Sequence, residues 1–218
     1  MSGVWLNCNQ IAKHNPWMIT YTTANSKNDL EGILDLQKQN LAVSLTKDEI
    51  QSQGFVTVDH SYDQLEKLND HEKHVIAKDD EKVIGYLLAM TKRSRFDIPV
   101  LIPMFELFNT VSYNGKKISE YNYLVVGQVC VDRAWRGKSI LDQCYAAYRQ
   151  HYSTKYDFAI TEIAATNLRS LKAHRRIGFK EINTYRSPDK TEWIVVLWDW
   201  KDPGITTEIR RIRRNTEK

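Results

Sequence analysis

The stretch "YLVVGQVCVDRAWRGKSILDQCY", Tyr123 to Tyr145, decides how the chain folds. Its first nine residues, Tyr123–Val131, are an apolar run of strand length. Arg133, Arg136 and Lys138 then surround a single glycine, Gly137. Beyond them Leu141, Cys144, Tyr145 and Tyr148 recur at i, i+3, i+4 and i+7, which predicts a helix over 139–151. A basic, glycine-hinged turn in front of a helix suits a phosphate. The first N–H groups of a helix lack partners and carry partial positive charge.

Outward from this unit the pattern continues as mixed strands and helices. Residues 18–24, "MITYTTA", read as a strand, and "NDLEGILDLQ" places Leu30, Ile33 and Leu34 on one helical face. "TKDEIQSQGF" predicts a short helix with a Thr46–Glu49 capping box and a stop at Gly54. "YDQLEKLND" predicts another. Residues 73–78 and 82–90 read as two strands of an antiparallel hairpin joined by an acidic turn. Pro99 and Pro103 break the start of an apolar segment, leaving a helix over 103–111. "DFAITEIAA" is a strand, "NLRSLKAHRRIGF" a helix ending at Gly178, and "EWIVVLWDW" a closing strand. This order implies an α/β fold: a mixed central sheet, antiparallel in its N-terminal strands, parallel in its central pair, flanked by helices.

Length and charge narrow the class. At 218 residues the chain suits one domain over 18–200, with an N-terminal extension (1–17) and a basic C-terminal tail (201–218). No apolar run reaches the ~18 residues of a membrane span, and the first residues show no secretory signal. A cytoplasmic protein with no membrane contact is the expectation. The net charge of +4 is concentrated at the end, where Lys201–Lys218 hold six basic and three acidic residues. The near-neutral body argues against nucleic acid as a partner. Cys8, Cys130 and Cys144 lack metal-ligand spacing, and His60, His71 and His74 lack a third ligand. Free thiols and no metal are expected.

Two nucleotide motifs fail. "RGKS" ends like a P-loop, but Asp132 stands where the first glycine belongs, and G-x-G-x-x-G is absent. A third pattern fits. "VCVDRAWRGKSIL" resembles the central block of the GNAT superfamily of acetyl-CoA-dependent N-acetyltransferases: a strand ending in Val, then R-G-x-G-x-G/A, then a helix. Ser139 and Leu141 stand where that family usually has small residues. "TEIAATNLRSLKAHRRIGF" resembles its second block, N-x-x-[AS]-x-x-x-[YH]-x-x-x-G-F, with Asn167, Ser170, His174, Gly178 and Phe179 in register. The resemblance covers roughly Met18 to Trp200.

The resemblance implies the GNAT fold and acetyl-CoA as co-substrate. The turn Arg136, Gly137, Lys138, Ser139 and Ile140 would hold its pyrophosphate, and Asn167 and Ser170 would line its pantetheine arm. Backbone N–H groups of Val129, Cys130 and Val131 would polarise the thioester carbonyl where that strand parts from its neighbour. Glu162, five before Asn167, would be general base, and His174, seven after it, a possible general acid. The acceptor would be a primary amine of a small molecule or peptide. Residues 92–122, with an apolar wall in "IPVLIPMFELF" and Glu106, would border it as a lid. A monomer or homodimer is expected. A catalytically degenerate acyl-CoA-binding regulatory module is the alternative, motivated by Ser139, Leu141 and the absent Tyr.

Overall fold

Strand β6 (Tyr123–Val131) stands in the middle of a seven-stranded sheet. On one side of it lie β3 (Lys82–Met90), β2 (Val75–Asp79) and, at the edge, β1 (Ile19–Thr23). On the other lie β7 (Phe158–Ala164), β9 (Glu192–Asp199) and the edge strand β8 (Lys180–Arg186). Every neighbouring pair is antiparallel except β6 and β7, which run parallel. A computed structural model supplies these coordinates and describes residues 19–46, 48–50 and 55–201.

The sheet separates two core layers because successive side chains of a strand point to opposite faces. Tyr86 and Leu88 of β3 join α1 (Lys27–Lys38) and α2 (Tyr62–His71) through Leu30, Ile33, Leu65 and Leu68. Leu87 and Ala89 face the other way, where α4 (Ile140–Tyr152) and α5 (Leu168–Ile177) bring Cys144, Tyr145, Tyr148 and Leu171. Helices α1 and α2 begin at capping boxes, Ser26 with Asp29 and Ser61 with Gln64, so their first N–H groups are satisfied by side chains. The expected Thr46–Glu49 box is also present, the Glu49 N–H donating to Thr46 Oγ1 at 3.3 Å.

The apolar segment departs from expectation. Its helix, α3, spans only Ile102–Leu107, and the chain then turns into a small hairpin, β4 (Ser112–Tyr113) with β5 (Lys116–Lys117). Asn114 and Gly115 both have positive φ, 46° and 83°, the pair that a tight hairpin turn selects. The ring of Phe108 meets Tyr123 at 5.4 Å, and Tyr121 meets Phe158 at 5.1 Å. The segment therefore covers the beginning of β6. Val131 lies about 26 Å further along the strand.

Strand β8 is the element that sequence patterning passes over. "KEINTYR" is polar and only partly buried along its length, because an edge strand with one half-covered face needs no apolar run. The N-terminal extension with Cys8, Met18, residues 51–54 including Gly54, and the tail from residue 202 lie outside the described residues. Among those described no helix is long and apolar enough to cross a membrane.

Candidate active site

The parallel pair is joined for only three residues: Tyr123↔Phe158, Leu124↔Ala159 and Val125↔Ile160. Past Val125 the two strands part. The cause is a bulge in β6. Where β3 advances from Leu87 to Ala89, β6 passes from Val129 to Val126 and so holds one residue more. An extra residue bends its strand and increases the twist. Gly127 occupies the bend against Met90, whose Sδ would stand 2.2 Å from an added Cβ. Thr161 Oγ1 donates to the Val126 carbonyl at 2.8 Å and bridges the first step of the opening. Arg136 Nε donates to the Val131 carbonyl at 3.1 Å. Both carbonyls thus point into the gap, and strand alternation turns the N–H of Val129 and Val131 the same way.

A cleft of about 700 Å³ occupies this opening. It brings together the expected Val129, Cys130, Val131, Arg136, Gly137, Ser139, Ile140, Glu162, Asn167, Ser170 and His174, together with Phe55, Val56, Gln128 and Trp193. Lys138 is not among its lining residues; its ammonium lies over the Trp135 ring, 4.6 Å from the centroid.

At one end of the cleft the chain turns into α4. Gly137 has φ 77°, and Ser139, the residue before α4, has φ 59° and ψ 14°. Left-handed residues in such a turn aim backbone N–H groups into a common concavity, the arrangement that receives an anion. The resemblance puts glycine at both positions for the same reason. Arg136 is half-committed to the protein, its guanidinium also donating to Asn40 Oδ1 at 2.6 Å. Leu141 packs partly buried against the α4–α5 core layer and also lines the cleft.

Asn167 caps α5, its Oδ1 accepting from the Ser170 N–H at 3.2 Å while Nδ2 reaches the Phe55 carbonyl at 3.5 Å. His174 lines the cleft and is held at both ring nitrogens. Its Nδ1 lies 2.8 Å from the Ser170 carbonyl, which can only accept, so Nδ1 carries the proton. Its Nε2 then accepts from the Tyr145 hydroxyl at 2.6 Å. Burial pushes its pKa down to about 4. A general acid needs a dissociable proton aimed at the reacting atoms; here the single ring proton is directed at backbone. In this arrangement His174 lines the cleft and ties α4 to α5.

Glu162 lies on β7 on the face of Phe158 and Ile160, opposite the α4–α5 layer. Burial raises its pKa, and a hydrogen bond from Tyr185 opposes that rise. The Tyr185 hydroxyl donates to Oε2 at 2.5 Å. Tyr185 comes from β8 and stands opposite Trp193 in the β8–β9 ladder. Neither residue belongs to the two sequence blocks that mark the site. Their one legible signal is register: residues 183 and 185 share a face, but β8 carries no pattern that announces it as a strand.

Residues 92–122, Glu106 included, are not among those lining the cleft; the segment covers the beginning of β6. Gln128 is tied down, donating to the Val58 carbonyl at 2.8 Å and accepting from Tyr86 at 2.5 Å. His60 pairs with Gln37, His71 with Asp97, and His74 accepts from the Ala89 N–H. Among the described residues no cluster could hold a metal ion.

Comparison with known proteins agrees with this geometry. A sequence profile of the Acetyltransferase (GNAT) family matches residues 42–179. No curated protein matches the chain. Among solved structures, 84% of the chain superposes on 94% of the ribosomal-protein-S18-alanine N-acetyltransferase from Escherichia coli, at 11% identity and a TM-score of 0.54. The same share superposes on 98% of Arabidopsis thaliana NAA60 in complex with a bisubstrate analogue, at 12% identity and 0.56. An N-acetyltransferase from Staphylococcus aureus Mu50 gives 18% identity and 0.54, with 99% of that chain covered. At these identities the neighbours establish the fold, and the profile, spanning more than half of the sequence, establishes the family. The chain belongs to the acetyltransferase (GNAT) family and is an acetyl-CoA-dependent acyltransferase.

Proposed function

We propose that the protein transfers acetyl from acetyl-CoA to a primary amine of a small molecule or peptide, with Glu162 as general base. The observation that carries this reading is a partly buried carboxylate at the mouth of the β6–β7 opening. The co-substrate supplies an activated acetyl thioester. The turn Arg136–Ile140 would hold its pyrophosphate, Asn167 and Ser170 its pantetheine, and the Val129 and Val131 N–H groups its carbonyl oxygen. Those N–H groups are fixed before the reaction and need no reorientation as charge builds on that oxygen.

Glu162 faces the cleft from the side opposite α4 and α5, so an acceptor and the co-substrate can approach from different faces of the sheet. An amine with pKa near ~10 arrives protonated, and a base must take a proton before nitrogen can attack. The new C–N bond forms as the C–S bond breaks; the second nitrogen proton, released as the amide forms, passes through water to the leaving thiolate, whose thiol has a pKa near ~8.5. No acid from His174 is required. The partial burial that raises the Glu162 pKa makes it a stronger base than a fully hydrated carboxylate. A neighbouring structure bound to Gag peptide and CoA favours peptide amines among the acceptors to be tried.

The test is thiol release from acetyl-CoA with a panel of peptide N-termini, polyamines and arylalkylamines. Turnover with at least one amine is expected, and Glu162→Gln should lower kcat by roughly 10²- to 10⁴-fold, with acetyl-CoA affinity unchanged. Tight acetyl-CoA binding without turnover on any amine would leave the regulatory-module reading in its place.

A further inference from the structure

We infer that Tyr185 is a positioning residue of this enzyme: its hydroxyl holds Glu162 by one oxygen and keeps it ionised, leaving the other to the acceptor amine. The inference rests on Glu162 being the base proposed above, and it concerns a residue that neither motif contains.

Three observations carry it. The bond from Tyr185 to Glu162 Oε2 is short, 2.5 Å, as expected for a hydroxyl donating to a charged oxygen. A carboxylate offers about four acceptor sites on two oxygens, so Oε1 stays available. The phenol is also delivered from a rigid hairpin. Across the ladder from Tyr185, Trp193 donates through Nε1 to Ser187 Oγ at 3.0 Å. Asp189 in turn accepts from the Thr191 N–H at 3.1 Å and from the Thr191 hydroxyl at 3.0 Å, which closes the β8–β9 turn. The hydroxyl is thereby fixed relative to β7, although it belongs to an edge strand.

The sign of the effect follows from what the bond favours. Burial disfavours the charged carboxylate, and the Tyr185 O–H stabilises it. Burial and the neighbouring Glu162 charge push the Tyr185 pKa up, which keeps the phenol protonated as a donor. The other titratable groups lining the cleft are Cys130 and His174, both neutral by burial, the Asp142 carboxylate, and the Arg136, Arg169, Lys172 and Arg176 cations. Asp189 acts on Tyr185 from the turn. Tyr185→Phe alters none of these, so a change between the two proteins reports the hydroxyl alone.

The experiment is a carbon-13 NMR titration of side-chain carboxylates in the full chain without ligand, with Glu162→Gln used to assign the Glu162 signal. In Tyr185→Phe the Glu162 midpoint should move up by about one pH unit. With an amine found in the panel, the acid limb of the kcat/KM profile should move by the same amount, and acetyl-CoA affinity should not change. An unmoved or lowered midpoint would overturn the role of Tyr185 while leaving Glu162 as base. Full activity in Glu162→Gln would overturn the base assignment instead, and the titration alone would then decide whether Tyr185 keeps Glu162 ionised. If Tyr185→Phe unfolds, Tyr185→Leu, which carries no donor, and Trp193→Phe separate the packing of the hairpin from the hydroxyl: only the first should shift the midpoint.

Discussion

Ser139 carries a conformational cost that glycine would not. Its φ of 59° is left-handed, a region that costs an L-residue about 1–2 kcal/mol. Glycine gives back part of that through its freer unfolded chain. Ser139→Gly should therefore raise stability by roughly 0.5–1 kcal/mol, read as a higher urea midpoint at constant m-value. An equal or lower midpoint would mean that the side chain repays its strain locally. Residue identity also made most of this turn legible in advance. Gly137 and the flanking cations are visible as types, whereas the engagement of Arg136 with Asn40, 96 positions earlier, is not.

At the scale of elements, the opening between β6 and β7 depends on the bulge at Gly127. Gly127→Ala would drive a methyl into Met90 and should cost about 1–3 kcal/mol. In a Met90→Ala background the added cost of the same substitution should shrink; equal costs in both backgrounds would place the strain in the backbone instead. The packing of α5 on α4 depends on a different contact. Tyr145→Phe strips the donor from His174 Nε2 and should destabilise by about 1–3 kcal/mol, measured by thermal or urea unfolding. A neutral substitution would mean that water replaces the phenol. Helix faces were readable from spacing, since Asn167, Ser170 and His174 follow a helical repeat. What His174 meets on that face was not, because the partner comes from α4.

For the whole molecule, three buried histidines set the response to acid. Burial pushes His60 and His174 down to about 4 and His74 down to about 3, against about 6.5 in the unfolded chain. The unfolded state gains protons first as pH falls. Stability is thus fully present above about pH 6.5 and is lost between there and about pH 4 for His60 and His174, and down to about pH 3 for His74. Each histidine contributes a slope of up to about 1.4 kcal/mol per pH unit in that window. The urea midpoint should fall steadily from pH 7.5 to pH 5, and a flat profile would show these rings to be hydrated.

Local pattern by itself determined the two strand–turn–helix units, the mixed sheet, and the turn and strand positions that face one cleft. These depend on spacing along the chain, which hydrophobic periodicity and helix geometry fix without reference to distant residues. Tertiary structure alone decided three matters. It turned His174 inward onto Tyr145, placed residues 92–122 over the beginning of β6, and brought Tyr185 to Glu162. Each is a meeting of side chains from separate elements, and strand order and register, rather than any interval in the sequence, bring such groups within hydrogen-bonding distance.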